Sequence, residues 1–233
     1  MAKIETKEPG APNGSSRVAT AYRRLKDEIL SNELPGGYQA LEQEIAERLG
    51  MSRTPVREAL IRLQDDGLVD VVPRRGMRVR NVSIDDMREI YELLYCIEAT
   101  AAELLAARHL ALDSRELLLL EEATDEMEQC LKRDDLDGWA EADARFHNYL
   151  LEFCGNARLA KVGAAMAAQC HRVRLLTLRL RPRPTDSTDD HRAVVRAIRS
   201  HDEESAHDIQ RTHRRRAMTL ILDALRRYHL TEV

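Results

Sequence analysis

The sequence is poor in aromatic residues, which occupy only 4% of its 233 positions. Leucine and alanine dominate instead, which points to helix-rich packing. Its four cysteines (Cys96, Cys130, Cys154 and Cys170) form no CxxC pair and no close framework. A reduced, cytoplasmic protein is the simplest reading of that spacing. No window approaches 18 uncharged apolar residues, so no membrane span is expected. Residues 1–16 contain no apolar core of the kind a secretory signal needs. Glycine and proline are few, at 10 and 7, while 43% of residues are hydrophobic and 33% charged. A collagen-like or largely disordered chain is thereby excluded. The length fits one large domain or two small ones.

The net charge of −4 argues against a nucleic-acid partner, but it is an average over two unlike segments. Residues 15–80 hold 12 basic and 10 acidic residues, whereas residues 81–233 hold 22 and 28. Within 71–80 there are four arginines (Arg74, Arg75, Arg78 and Arg80) and no acid. A local basic feature on an acidic protein is what a modular binder shows.

Residues 1–16 carry Pro, Gly, Ser and Asn without periodicity and read as a tail. Apolar residues at 18, 22, 25 and 29 have helical spacing, and Pro35-Gly36-Gly37 ends that run. Leu41, Ile45 and Leu49 mark a second short helix, stopped near Gly50. Ser52 or Thr54 caps a third, with Val56, Leu60 and Leu63 on its apolar face and Gly67 at its end. Two strand-like runs, 68–72 and 77–82, flank a hairpin tip at Pro73-Arg74-Arg75-Gly76. Beyond Ser83 every strong pattern is helical, with helices expected near 84–108, 114–132, 135–153, 157–180, 188–200 and 203–228. Ser83-Ile84-Asp85-Asp86 has the form of a capping box with Asp in place of Glu.

Three short helices followed by a two-stranded wing make a winged helix-turn-helix, whose third helix enters the major groove by its N-terminal end. Here that end reads Ser52-Arg53-Thr54-Pro55-Val56-Arg57-Glu58. Arg53 and Arg57 share one face, and arginine can bind guanine O6 and N7 with two hydrogen bonds. Ser52, Thr54 and the helix-start amides suit phosphate, and Gly76 allows close approach beside Arg74 and Arg75. A merely solvated arginine face is the alternative, although caps, wing and charge all agree on DNA. The segment from Pro35 through Glu44–Leu60, Asp66-Gly67-Leu68-Val69 and Gly76 resembles the N-terminal domain of the GntR family of bacterial transcription regulators. The resemblance implies DNA contacts by Arg53, Thr54 and Arg57 and by the wing from Arg74 to Gly76. Gln43 stands where some members carry a DNA-contacting Arg.

The acidic segment carries polar residues on apolar helix faces. In helix 135–153 the apolar stripe runs through Trp139, Ala140, Phe146 and Leu150, and Asp143 and His147 fall on it four residues apart. His191 lies on a stripe with Val194, Val195 and Ile198, and His213 on one with Ile209, Ala217 and Leu220. An unpaired buried carboxylate is destabilising by several kcal/mol, and a divalent metal satisfies all four groups at once. Zinc suits this imidazole and carboxylate set, as do nickel, manganese and iron. The plainer alternative is an Asp–His pair with two unrelated core histidines. Asp143-Ala144-Arg145-Phe146-His147, Gly155-Asn156, Asp190-His191 and His213 resemble the FCD effector domain of the FadR-type GntR subfamily. By that resemblance Asp143, His147, His191 and His213 are the metal ligands, and the effector is a small organic acid or sugar acid. Leu94 stands where many members carry Arg, so the pocket differs from theirs. His171, near Ala164, Ala167, Leu175 and Leu178, and Arg174 one turn on are candidates to complete the effector pocket. A salt-bridged interhelical surface is the other reading for that pair. Arg214 and Arg215 read as a solvated face.

The expectation is a mainly α chain: a tail over 1–16, a winged helix-turn-helix over 17–82, and an antiparallel helical bundle over 83–233 that binds metal and effector. A homodimeric regulator of double-stranded operator DNA that is not an enzyme is expected, and the resemblance implies repression relieved by a small carboxylate. One rival is a DNA binder whose metal is purely structural. The other is a metal-dependent hydrolase fused to a winged helix, which lacks an evident separate general base.

Overall fold

The structure is a computed structural model and describes residues 14–72 and 75–230. The chain divides into two compact units between Arg80 and Asn81. In the first, α1 (Gly14–Leu30) is followed by β1 (Gln39–Ala40), α2 (Glu42–Leu49), α3 (Arg53–Asp65), β2 (Val69–Val72) and β3 (Gly76–Val79). Helix α1 begins inside the stretch read as a tail, and residues 1–13 lie outside the described residues, as do Pro73 and Arg74 of the hairpin tip.

Each helix of this unit contributes one apolar face. Ala21, Leu25 and Ile29 of α1 meet Val56, Leu60 and Leu63 of α3, all of them buried. Gly50 ends α2 with a φ of 65°, a left-handed conformation that favours glycine. The amide of Met51 then bonds back to Ala46 O at 2.9 Å, which turns the chain into α3. Ser52 occupies the N-cap of α3 in extended backbone, and its side chain makes no capping bond.

The three strands form an antiparallel sheet in the order β1-β3-β2, with Val69 paired to Val79 and Ala40 to Met77. β1 is two residues long and shows no alternation in the sequence, so pattern reading passes over it. It explains Gly76, whose φ is 81° and which is buried rather than presented at the surface. A Cβ there meets Ala40 O at 2.0 Å. The glycine is thus required by the strand beside it, a reason separate from the close approach to DNA expected of the wing.

The second unit is built of α4 (Ile84–Ala107), α5 (Arg115–Lys132), α6 (Leu136–Phe153), α7 (Ala157–Leu178), α8 (Thr185–Arg199) and α9 (Glu203–Arg227). Side-chain caps start most of them. Ser83 accepts from Asp86 N while Asp86 accepts from Ser83 N, which completes the capping box. Asp135, Asn156 and Asp202 cap α6, α7 and α9. α8 starts at Thr185, earlier than the apolar pattern suggests. Its first buried residue, Thr188, is polar and accepts a hydrogen bond from Trp139 Nε1 at 2.9 Å. α9 packs against α4, α8 and α7, so it is covered on more than one side. One apolar cluster joins α4, α5, α6 and α8 around Leu105, Leu120, Phe146 and Ile198. A second, around Tyr91, Leu94, Val173 and Leu225, joins α4, α7 and α9.

Candidate metal centre and nucleic-acid interface

Three helices bring their anomalous polar residues to one place. α6 supplies Asp143 and His147 one turn apart, α8 supplies His191, and α9 supplies His213. None is more than 3% exposed. The three histidines each offer a ring nitrogen within 4.8 Å of the others. Nε2 of His147 and Nε2 of His191 are 3.1 Å apart, and Asp143 Oδ1 lies 3.6 Å from the first and 3.5 Å from the second. Leu94 is buried in the second apolar cluster.

Burial holds the three imidazoles below their ordinary pKa, His191 and His213 far below it, and Arg214 lowers all three further. They are therefore neutral, with lone pairs available as ligands. Two metal–nitrogen bonds of about 2.0–2.1 Å set at tetrahedral or octahedral angles place their nitrogens about 2.9–3.4 Å apart, which brackets the observed 3.1 Å. His191 Nδ1 is buried without a hydrogen-bond partner. The donor set fits a divalent ion on both geometry and chemistry.

Two of the rings are aimed by carboxylates behind them. His147 Nδ1 faces Glu98 Oε2 at 2.9 Å, and His213 Nδ1 faces Asp190 Oδ2 at 3.3 Å. Such partners fix which ring nitrogen is left for a metal. Glu98 lies on α4, completely buried, and is held by the Arg214 guanidinium and by Gln210 Nε2 at 2.8 Å. Burial alone raises its pKa, but Arg214 and His147 outweigh that and keep the carboxyl below its ordinary range.

Arg214 corrects the expectation of a solvated face. It is 1% exposed and buried against α4. A single helical stripe does not foresee this, because α9 is enclosed on several sides. Arg215 is exposed, with its guanidinium 5.2 Å from the Tyr95 ring centre. The sequence did carry a signal for Glu98: it is a lone acid on the stripe Tyr91, Leu94, Ala101, Leu105, the same signal that marks Asp143.

His171 and Arg174 both line a pocket beside Asp143 and His213. Arg174 touches Asp143 Oδ2, which makes no well-formed hydrogen bond. Burial lowers the His171 pKa and pushes Arg174 to about 10. Arg174 is thus ion-paired across helices with Asp143 and, with His171, borders the pocket.

In the first unit Ser52, Arg53, Thr54 and Arg57 are all exposed at the start of α3. The Arg53 and Arg57 side chains are 65% and 70% exposed, and both reach towards Glu42 of α2, at 3.5 and 3.8 Å. Gln43 bonds Glu47 at 2.8 Å. Arg75 is exposed at the turn between β2 and β3, while Arg80 pairs with Asp70 at 2.7 Å. Arg74 lies outside the described residues.

Comparison with known proteins bears on both units. The family model for bacterial regulatory proteins of the gntR family matches residues 17–79, and that for the FCD domain matches residues 89–216. An HTH-type transcriptional regulator in the TAR-I ttuE-ttuC' intergenic region of Agrobacterium vitis is 45% identical over 139 residues, covering 60% of this chain and 81% of its own length. An HTH-type transcriptional regulator in an unstable DNA locus of Streptomyces ambofaciens is 31% identical over 204 residues, covering 87% and 84%. The solved structure of McbR/YncC from E. coli is similar in fold, with a TM-score of 0.74 at 21% identity, covering 88% of this chain and 96% of that one.

Proposed function

We propose, for a chain that belongs to the gntR family of bacterial regulatory proteins and carries an FCD domain, an operator-binding repressor governed by a small carboxylate held at a metal centre. The chain is a DNA-binding transcription regulator and not an enzyme. Among the described residues no helix is long and apolar enough to cross a membrane.

The metal-centred sensor rests on the convergence of His147, His191 and His213 on Asp143, next to a pocket lined by Arg174 and His171. Asp143, His147, His191 and His213 would hold the ion, and zinc suits this set. When bound, a divalent ion supplies a positive centre with positions left for a carboxylate. The chain's own residues do the rest. Glu98 and Asp190 orient two of the rings, and Arg174 offers a guanidinium to an anion. The surrounding apolar clusters keep the site dry enough for these charges to matter.

Ser52, Arg53, Thr54, Arg57 and Arg75 would form the DNA-reading surface, with buried Gly76 holding the turn that carries Arg75. A single winged helix reads a short half-site, so two copies on a near-palindromic operator are required for specificity. The effector changes DNA affinity only by binding one state of the dimer better than another.

An operator selected from random duplexes by the full chain provides the assay. The metal-loaded protein should bind it with an affinity lowered by a small carboxylate, and removal of the metal should abolish that response. Loss of folding on chelation, with no response to any acid, supports a structural metal instead.

A further inference from the structure

An acid stands among the arginines of the first unit. Glu42 is the first residue of α2, and its side chain is only 18% exposed. Its two oxygens face different residues. Oε2 lies 3.5 Å from Nη2 of Arg53, and Oε1 lies 3.8 Å from Nε of Arg57. One carboxylate thus serves both arginines at the start of α3 and offsets one of their two charges. A carboxylate beside a phosphate-facing surface weakens binding by repulsion, so affinity for the DNA backbone does not account for it.

The neighbouring acids of α2 are accounted for within their own helix. Glu44 accepts from Leu41 N at 2.7 Å and completes a cap. Glu47 accepts from Gln43 Nε2 at 2.8 Å. Glu42 differs, because its charged neighbours lie on α3. Negative charge in the first turn of a helix is favourable, but Glu44 supplies it there as well.

Both contacts of Glu42 are longer than a good hydrogen bond, so the acid attracts the guanidinium groups without consuming their donors. Arg57 approaches it through Nε, not through the terminal Nη pair that can read guanine O6 and N7. Two guanidinium groups one turn apart repel each other, and a carboxylate shared between them offsets that repulsion. Ordering long side chains opposes association, and arginines already gathered on one acid have less order to gain.

We infer that Glu42 is a positioning residue for DNA reading: it holds Arg53 and Arg57 ready for base edges and makes them poor partners for phosphate alone. It thereby raises the ratio of operator affinity to random-duplex affinity while lowering affinity for DNA at large. The inference rests on the DNA-surface reading above.

Fluorescence anisotropy on the full chain tests this with the selected operator and a scrambled duplex of equal length, over a series of salt concentrations. Glu42→Gln should tighten binding to the scrambled duplex and steepen its salt dependence by about one released ion. Operator affinity should not rise in step, so the ratio should fall about 5- to 100-fold, the discrimination that one base pair carries. Glu42→Asp keeps the charge at the helix start but draws it back from the arginines. It should lower the ratio too, and it keeps the test valid if Glu42→Gln fails to fold. Glu44→Gln, which weakens the cap at Leu41, should lower thermal stability and leave the ratio unchanged. An unchanged ratio in both Glu42 variants, or an equal fall in Glu44→Gln, overturns the inference. The DNA-surface reading still stands in that case if Arg53→Ala or Arg57→Ala weakens operator binding. Unchanged operator affinity in both arginine variants overturns the two together.

Discussion

Glu98 on α4 and Arg214 on α9 form an ion pair from which water is excluded on both sides, with side-chain exposures of 0% and 1%. The same carboxylate faces His147 Nδ1 at 2.9 Å. One acid therefore ties a helix–helix contact to the aim of a proposed metal ligand.

Glu98→Gln leaves a buried guanidinium with a neutral partner, and breaking such a pair is destabilising by about 3–5 kcal/mol. Urea denaturation of the full chain should show a loss in that range. Replacing both partners, as in Glu98→Leu with Arg214→Met, should restore most of the stability. Metal affinity should still fall by about 10- to 100-fold, because His147 loses the group that orients it. Wild-type metal affinity in the double variant would detach Glu98 from the centre.

His191→Ala removes a ligand whose nearest polar neighbours are His147 and Asp143. Zinc retained after dialysis should drop well below one equivalent per chain. Operator binding by the first unit should persist, since the substitution lies in the second. Full zinc occupancy in this variant would exclude His191 from the centre.

Arg53→Ala and Arg57→Ala should each weaken specific operator binding by about 1–3 kcal/mol in fluorescence anisotropy, with relaxed preference at one base position. Neither change should alter thermal stability by more than about 0.5 kcal/mol, because both side chains are largely exposed. Unchanged affinity in both variants would remove the start of α3 from the DNA surface.

Gly76→Ala forces a Cβ into the Ala40 carbonyl and strains a φ of 81°. The sheet of the first unit should lose more than about 1 kcal/mol, read by thermal unfolding. DNA affinity should fall with it, through displacement of Arg75. A stable variant with normal sheet pairing would contradict the close approach of β1.

Acid should destabilise the metal-free protein from near neutrality downward. Folded His147, His191 and His213 have pKa values depressed below 6.5 by burial, so the unfolded chain takes up protons first. Their contribution is complete above about pH 6.5 and is lost as the pH falls through the folded values. Denaturation midpoints measured with chelator at pH 7.5 and pH 5 should differ in that direction. A flat profile would mean that the histidines are not shielded.

Most of the helical framework was legible because its signals are local. Ser83 caps α4 where the sequence places a capping box, and periodic apolar faces mark the helices that follow. Asp143, His147, His191 and His213 stood out because each is polar on an apolar stripe, a contradiction visible one helix at a time. Glu98 carried the same mark, but its partner Arg214 comes 116 residues later, on a helix buried over several faces. Non-local enclosure of that kind has no periodic signature. β1 went unseen for the opposite reason. Two residues are too few to alternate, and Gln39–Ala40 is a strand only because β3 pairs with it.

His213 and Arg214 are consecutive on α9, yet one turns towards the clustered rings and the other towards α4. A genetic selection for alleles that no longer respond to the inducing compound would therefore be expected to return changes at Glu98 and Gln210 alongside changes at the ligands. Such alleles would map to two distant stretches of the gene while sharing one biochemical defect, a last helix that no longer holds its register.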